Sequence, residues 1–109
     1  MSASSQAFTP AGSQQLLATV WQRNLPLLRS RLASLEVTAQ HAEAGLLSVA
    51  GRRDAADIAH KLAGSLGMFG YLRGTEIARE LELLLDLDGP VASATVRDLI
   101  SSLGKVLPV

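Results

Sequence analysis

Residues 55 to 70 read Ala55-Ala56-Asp57-Ile58-Ala59-His60-Lys61-Leu62-Ala63-Gly64-Ser65-Leu66-Gly67-Met68-Phe69-Gly70. The apolar residues do not alternate as they would in a strand; they recur at helical spacing. At ~100° per residue, Ile58, Leu62, Ser65, Leu66 and Phe69 gather on one side, the expected core face. His60 falls roughly 180° from that side on the same step and is expected to face solvent. Asp54 is the expected N-cap, and Gly70 the expected stop. A helix with one apolar stripe needs other helices to cover it, so this segment sets the fold class.

The same reading extends outward. Upstream, Leu17, Val20, Trp21, Leu25, Leu28, Leu32 and Leu35 follow three- and four-residue steps. Pro26 interrupts them and is expected to kink the helix or mark a first turn, because it lacks a backbone donor. The pattern continues weakly through Ala39 and Ala42 to Leu46, Leu47 and Val49, with Gly51 as the expected stop. Downstream, Tyr71 to Gly74 reads as a turn. A helix is expected from Thr75, with Glu76 in its first turn and Ile77, Leu81, Leu84 and Leu85 as its stripe, ending at Gly89-Pro90. A last helix carries Val96, Leu99, Ile100, Leu103 and Leu107. Residues 1–12 lack periodicity and read as a flexible tail. The prediction is an all-α protein, an antiparallel four-helix bundle over residues 13–109.

Composition agrees. Of 109 residues, 48% are apolar but only 4% aromatic, a Leu- and Ala-rich balance that favours helix on helix. Ten basic and ten acidic residues cancel, leaving no electrostatic footprint for nucleic acid and no basic patch for a membrane surface. No cysteine is present, which excludes disulfides, thiolate metal sites and thiol catalysis. The first residues have neither the basic start nor the apolar block of a signal peptide. No apolar run approaches the roughly 20 residues that cross a bilayer. The expectation is a cytoplasmic monomer.

The outer face of the 55–70 helix is unusual for its small residues. Around His60 it is expected to present Arg53, Ala56, Asp57, Ala63, Gly64 and Gly67. Each helix-interior glycine costs about 0.8–1.0 kcal/mol relative to alanine. One reading is access: without side chains on the next turn, a partner can approach the imidazole closely. A free imidazole titrates near pH ~6.5, so its neutral form offers a nitrogen lone pair for covalent chemistry. The other reading is an ordinary exposed histidine, with Gly64 and Gly67 serving close helix packing or a dimer contact. Asp57, one turn before His60, can orient the imidazole or simply favour the helix dipole. No metal-ligand spacing is present, His41 has no such clearing around it, and the glycines lack the G-x-G-x-x-G spacing of a nucleotide loop.

The run from His60 to Gly70 resembles the signature of histidine-containing phosphotransfer (HPt) domains. That signature has a helical histidine, an apolar residue two on, Gly-Ser or Gly-Ala at the fourth and fifth positions after it, and glycines at the seventh and tenth. The resemblance continues upstream over Trp21 to Glu36 and downstream over Ala78 to Glu82. It implies a four-helix bundle that carries a phosphoryl group on His60 and exchanges it with the aspartates of receiver domains, or passes it from a hybrid histidine kinase to a response regulator. It also implies that Gly64, with Ala63, Gly67 and Ala56 around it, clears space for that aspartate and its Mg²⁺, so the chain needs no cofactor of its own. Many members have a lysine three residues after the histidine; here Ala63 stands there, leaving Lys61 and Arg53 as candidates to neutralise the phosphoryl oxygens. The chain then acts as a carrier without kinase activity, and a single domain favours a diffusible one. The alternative is an unphosphorylated helical adaptor that docks on a receiver or kinase and inhibits it.

Overall fold

Four apolar stripes cover one another in the computed structural model, which describes residues 10–107. The helices are α1 (Pro10–Glu43), α2 (Val49–Met68), α3 (Leu72–Asp86) and α4 (Ser93–Val106), and no strand occurs among the described residues. Short connections make successive helices antiparallel, and α1, α2, α3 and α4 follow one another around the bundle, with α4 closing on α1. Leu28, Leu35, Leu62, Leu66, Ile77, Leu81, Val96, Ile100 and Leu103 form the buried centre. No described helix is long and apolar enough to cross a membrane.

The upstream periodicity belongs to one helix of 34 residues. It begins at Pro10, so residues 10–12 are helical rather than tail; proline's fixed φ and missing donor suit a first helical position. Residues 1–9 of the expected tail lie outside the described residues. Pro26 neither ends nor starts a helix. It removes the partner of the Gln22 carbonyl on an exposed face, which solvent can reach. The stripe is covered only from Trp21 inward; Leu16, Leu17 and Val20 are exposed on a segment that runs past the bundle, whose longest extent is 64 Å against 22 and 21 Å.

The α1–α2 boundary lies earlier than the sequence suggested. Gly45, at φ +70°, takes the left-handed conformation, and the Leu46 N–H donates back to the His41 carbonyl at 2.8 Å. Ser48, not Asp54, caps α2: its hydroxyl accepts the Gly51 N–H at 2.9 Å. Gly51 therefore sits in the first turn of α2 rather than stopping a helix. At the other end Gly70 (φ +80°) closes α2 as expected, with the Tyr71 N–H donating to the Leu66 carbonyl. Helix α3 begins three residues before Thr75, whose hydroxyl folds back onto the Tyr71 carbonyl at 3.0 Å. Glu76 consequently lies beyond the first turn and pairs with Arg73.

Side chains tie the ends together. Trp21 stacks on Tyr71 (4.7 Å, 20°) and meets Phe69 edge-on (4.9 Å, 64°), so α1 clasps the α2–α3 turn through three aromatic rings. Arg97 on α4 reaches Glu36 and Glu43 of α1 at 2.7 and 2.6 Å. Those hydrogen bonds, Glu43's the stronger, raise the Arg97 guanidinium above its ordinary value. At the far end of the α2–α3 pair, Arg52 donates to the carbonyls of Leu85 (2.7 Å) and Leu84 (3.4 Å), and also meets those of Leu87 and Gly89. These carbonyls have no partner inside α3, and a cation suits the helix C-terminus. Arg52→Ala is expected to destabilise the fold by roughly 1–3 kcal/mol. Arg52→Lys should recover less than half of that loss, since an ammonium cannot span the same carbonyls. Urea unfolding followed by the fluorescence of the single tryptophan measures both.

Candidate phosphoryl site

Helix α2 buries only part of the face that its large apolar residues mark. Buried along it are Ala55, Ala56, Ala59, Leu62, Ala63 and Leu66, while Ile58, Ser65 and Phe69 are half-buried. The covered face is rotated by roughly 70° toward the alanines relative to the expected one. The cause is α3, whose Ile77, Ala78, Leu81 and Leu85 pack onto that stripe. Ala56 and Ala63 are thus 5% and 4% exposed, packed between helices, and they do not belong to the open surface on which the sequence placed them. Ser65 instead faces α1, accepting a long hydrogen bond from Arg31 (3.4 Å).

The rotation moves His60 to the flank of the α2–α3 seam. Its side chain remains 70% exposed, yet its Nδ1 lies 2.9 Å from Oε2 of Glu82 on α3, a carboxylate only 24% exposed. A carboxylate accepts hydrogen bonds, so in the neutral ring this contact holds the proton on Nδ1 and leaves the lone pair on Nε2. From the sequence, Asp57 stood either as an orienter of the imidazole or as an acid favouring the helix dipole. The structure places the Asp57 carboxylate on Lys61 instead, at 2.9 Å one helical turn away. The Lys61 ammonium, through its hydrogen bond and charge, holds Asp57 below the ordinary carboxylate value. The exposed pair therefore persists at neutral pH and is lost as pH falls through that lowered value. Lys61 is accordingly engaged and does not stand free beside the imidazole.

The two glycines differ. A side chain added at Gly64 would meet nothing within 4 Å, whereas one at Gly67 would reach the Thr75 side chain at 3.7 Å. Gly64 provides the open space, and Gly67 borders the start of α3. His60, Ala63 and Gly64 line a shallow depression with Arg79, Glu82 and Leu83 of α3. A second depression, on the other side of the imidazole, is lined by His60, Arg53, Ala56, Asp57, Glu82 and Asp86. Neither Glu82 nor Arg79 is among the residues that the sequence singles out around His60. Among the described residues no three His, Cys, Asp or Glu side chains gather as a metal site.

The imidazole is thus held by its inner nitrogen on an open surface, with unfilled space beside it at Gly64. The chain belongs to the Hpt domain family, the histidine phosphotransfer modules of phosphorelays: the family's model matches residues 26–105, covering all of α2 and α3 and most of α1 and α4. It is also 33% identical over 84 residues to Protein RcaC of Microchaete diplosiphon, an alignment that takes in 73% of this chain. The chain spans 13% of the length of that relative. No solved structure matches it.

Two measurements follow from the geometry. With open space above Gly64, Gly64→Ala should stabilise the protein by about 0.5–1 kcal/mol in urea unfolding, the ordinary helix preference with no clash against it. Nitrogen NMR of neutral His60 should show the Nδ1–H tautomer in the wild type. Glu82→Ala should let the Nε2–H tautomer appear, while Asp57→Asn should leave the wild-type spectrum unchanged.

Proposed function

We propose that this chain is a phosphoryl carrier that accepts the group on Nε2 of His60 from the phosphoaspartate of a receiver domain, or from a hybrid histidine kinase, and returns it to another receiver. The observation that carries this reading is the His60–Glu82 hydrogen bond beside the open space over Gly64. In the transfer, the Nε2 lone pair forms a bond to phosphorus while the acyl phosphate's P–O bond breaks, its electron pair remaining on the aspartate carboxylate. The imidazole keeps its proton on Nδ1, and the Glu82 carboxylate balances the positive charge that develops on the ring. The reverse sequence delivers the group onward.

Such a transfer depends on in-line positioning and charge neutralisation more than on covalent machinery of the carrier. The family resemblance assigns the Mg²⁺ to the receiver domain, so the chain acts without a cofactor and without kinase activity of its own. A cytoplasmic monomer suits this role, because a dimer built on the Gly64 face would cover His60.

Incubation with a panel of phosphorylated receiver domains tests the proposal. The expected result is label on this chain that survives alkali and is lost in acid, as a phosphoramidate is, and that disappears in His60→Gln. A bulkier residue at the gap, Gly64→Gln, should slow transfer at least tenfold while the fold persists. Retained receiver binding with no label from any donor overturns the carrier reading in favour of an inhibitory adaptor, for which Ala63 in place of the common lysine would be the first cause to examine.

A further inference from the structure

The two depressions beside His60 differ in charge. The side toward the start of α2 is lined by three carboxylates, Asp57 (paired with Lys61), Glu82 and Asp86, and by the guanidinium of Arg53, which like Arg79 makes no ion pair with a described residue. On the side toward Gly64, the charged residues besides the histidine are Glu82 and Arg79. The Glu82 carboxylate is already engaged by the imidazole. Arg79 makes no ion pair with any described residue, and nothing occupies the space above Gly64. Other cations are held elsewhere: Lys61 by Asp57, Arg73 by Glu76, Arg97 by Glu36 and Glu43, and Arg52 by the carbonyls at the end of α3.

A phosphoryl group on Nε2 brings up to two negative charges and three acceptor oxygens. On the Asp57–Asp86 side it meets carboxylates of its own sign; on the Gly64 side it meets room and a guanidinium able to make two parallel hydrogen bonds to its oxygens. Resting on the phosphohistidine reading above, we infer that Arg79 of α3 binds the phosphoryl group of phospho-His60 and directs it to the Gly64 side of the imidazole. Arg79 is then the positioning residue that neutralises the group, supplied from the helix facing the histidine rather than from α2. An acceptor must approach across Gly64 and Leu83, with Arg53 on the opposite side of the ring from the transferred group.

Phosphoramidate, a small donor that needs no partner protein, makes the test direct. Nε2 attacks its phosphorus, the donor's P–N bond breaks, and ammonia leaves with the proton that the donor's nitrogen carries. Phosphorus NMR then follows the titration of the bound phosphoryl group, in a His41→Gln background so that one histidine gives the signal. Arg79→Gln is expected to raise that titration midpoint by about three-quarters of a pH unit, the effect of removing one charge at roughly 4 Å in a water-like dielectric. Arg79→Lys should restore most of the shift, and the difference should shrink as salt rises. Arg53→Gln should move the midpoint no more than about half as far, because a charge twice as distant acts half as strongly on the same scale. A midpoint that moves with Arg53→Gln instead, or with neither variant, overturns the inference while leaving the carrier reading intact. Absence of phosphohistidine at His60 in all variants overturns the carrier reading, and the inference with it.

Discussion

The close approach of α2 and α3 is the constraint on which the site depends. Helix axes separate by about 8–10 Å according to the side chains between them, and small residues set the lower end of that range. Ala55, Ala56, Ala59 and Ala63 on α2 and Ala78 on α3 are all buried at the contact. With leucines in their place, α3 would be held away from α2 and the Glu82 carboxylate would no longer meet the imidazole across the seam. The alanine stripe thus acts twice. It allows dense packing, and it brings a carboxylate from the second helix to a histidine that would otherwise stand alone on the first.

Much of the fold was legible because leucine spacing is a strong signal, and most of the leucines that marked the four helices are buried at the centre. Alanine is a weak signal on a helical wheel: it is compatible with either face, so Ala56 and Ala63 were placed with the glycines rather than with Ala59. That one ambiguity displaced the buried face of α2 and left His60 facing solvent squarely rather than flanking α3. The recurrence of small residues at positions 55, 56, 59 and 63 is the pattern that would have corrected it. Boundaries failed for a related reason. Gly51 attracted the stop assignment, although Ser48 three residues before it is the better helix start and Gly45 the better end.

The site itself was legible only in part. His60 and Gly64 stood out because a costly glycine beside a surface histidine needs a reason, and the spacing of the run carries a family signature. The orienting carboxylate did not stand out, since Glu82 lies 22 positions along the chain and nothing local distinguishes it from Glu80. Asp57 was attractive because it is one turn from His60, but Lys61 is one turn from Asp57 as well and wins its carboxylate. A fixed opposite charge outcompetes an imidazole that is charged only when protonated. Competition of this kind is decided by three-dimensional neighbours, which periodicity does not rank.

Every group gathered around the imidazole, from Arg53 to Asp86, comes from a single helical hairpin whose turn spans only a few residues. Helices α1 and α4 cover the other side of that hairpin and contribute no atom to either depression. Their solvent faces are therefore unconstrained by the chemistry, and sequence drift there can alter what else the protein recognises without disturbing the histidine. The chain separates what must stay fixed from what is free to diversify along the boundary between its central hairpin and its two outer helices.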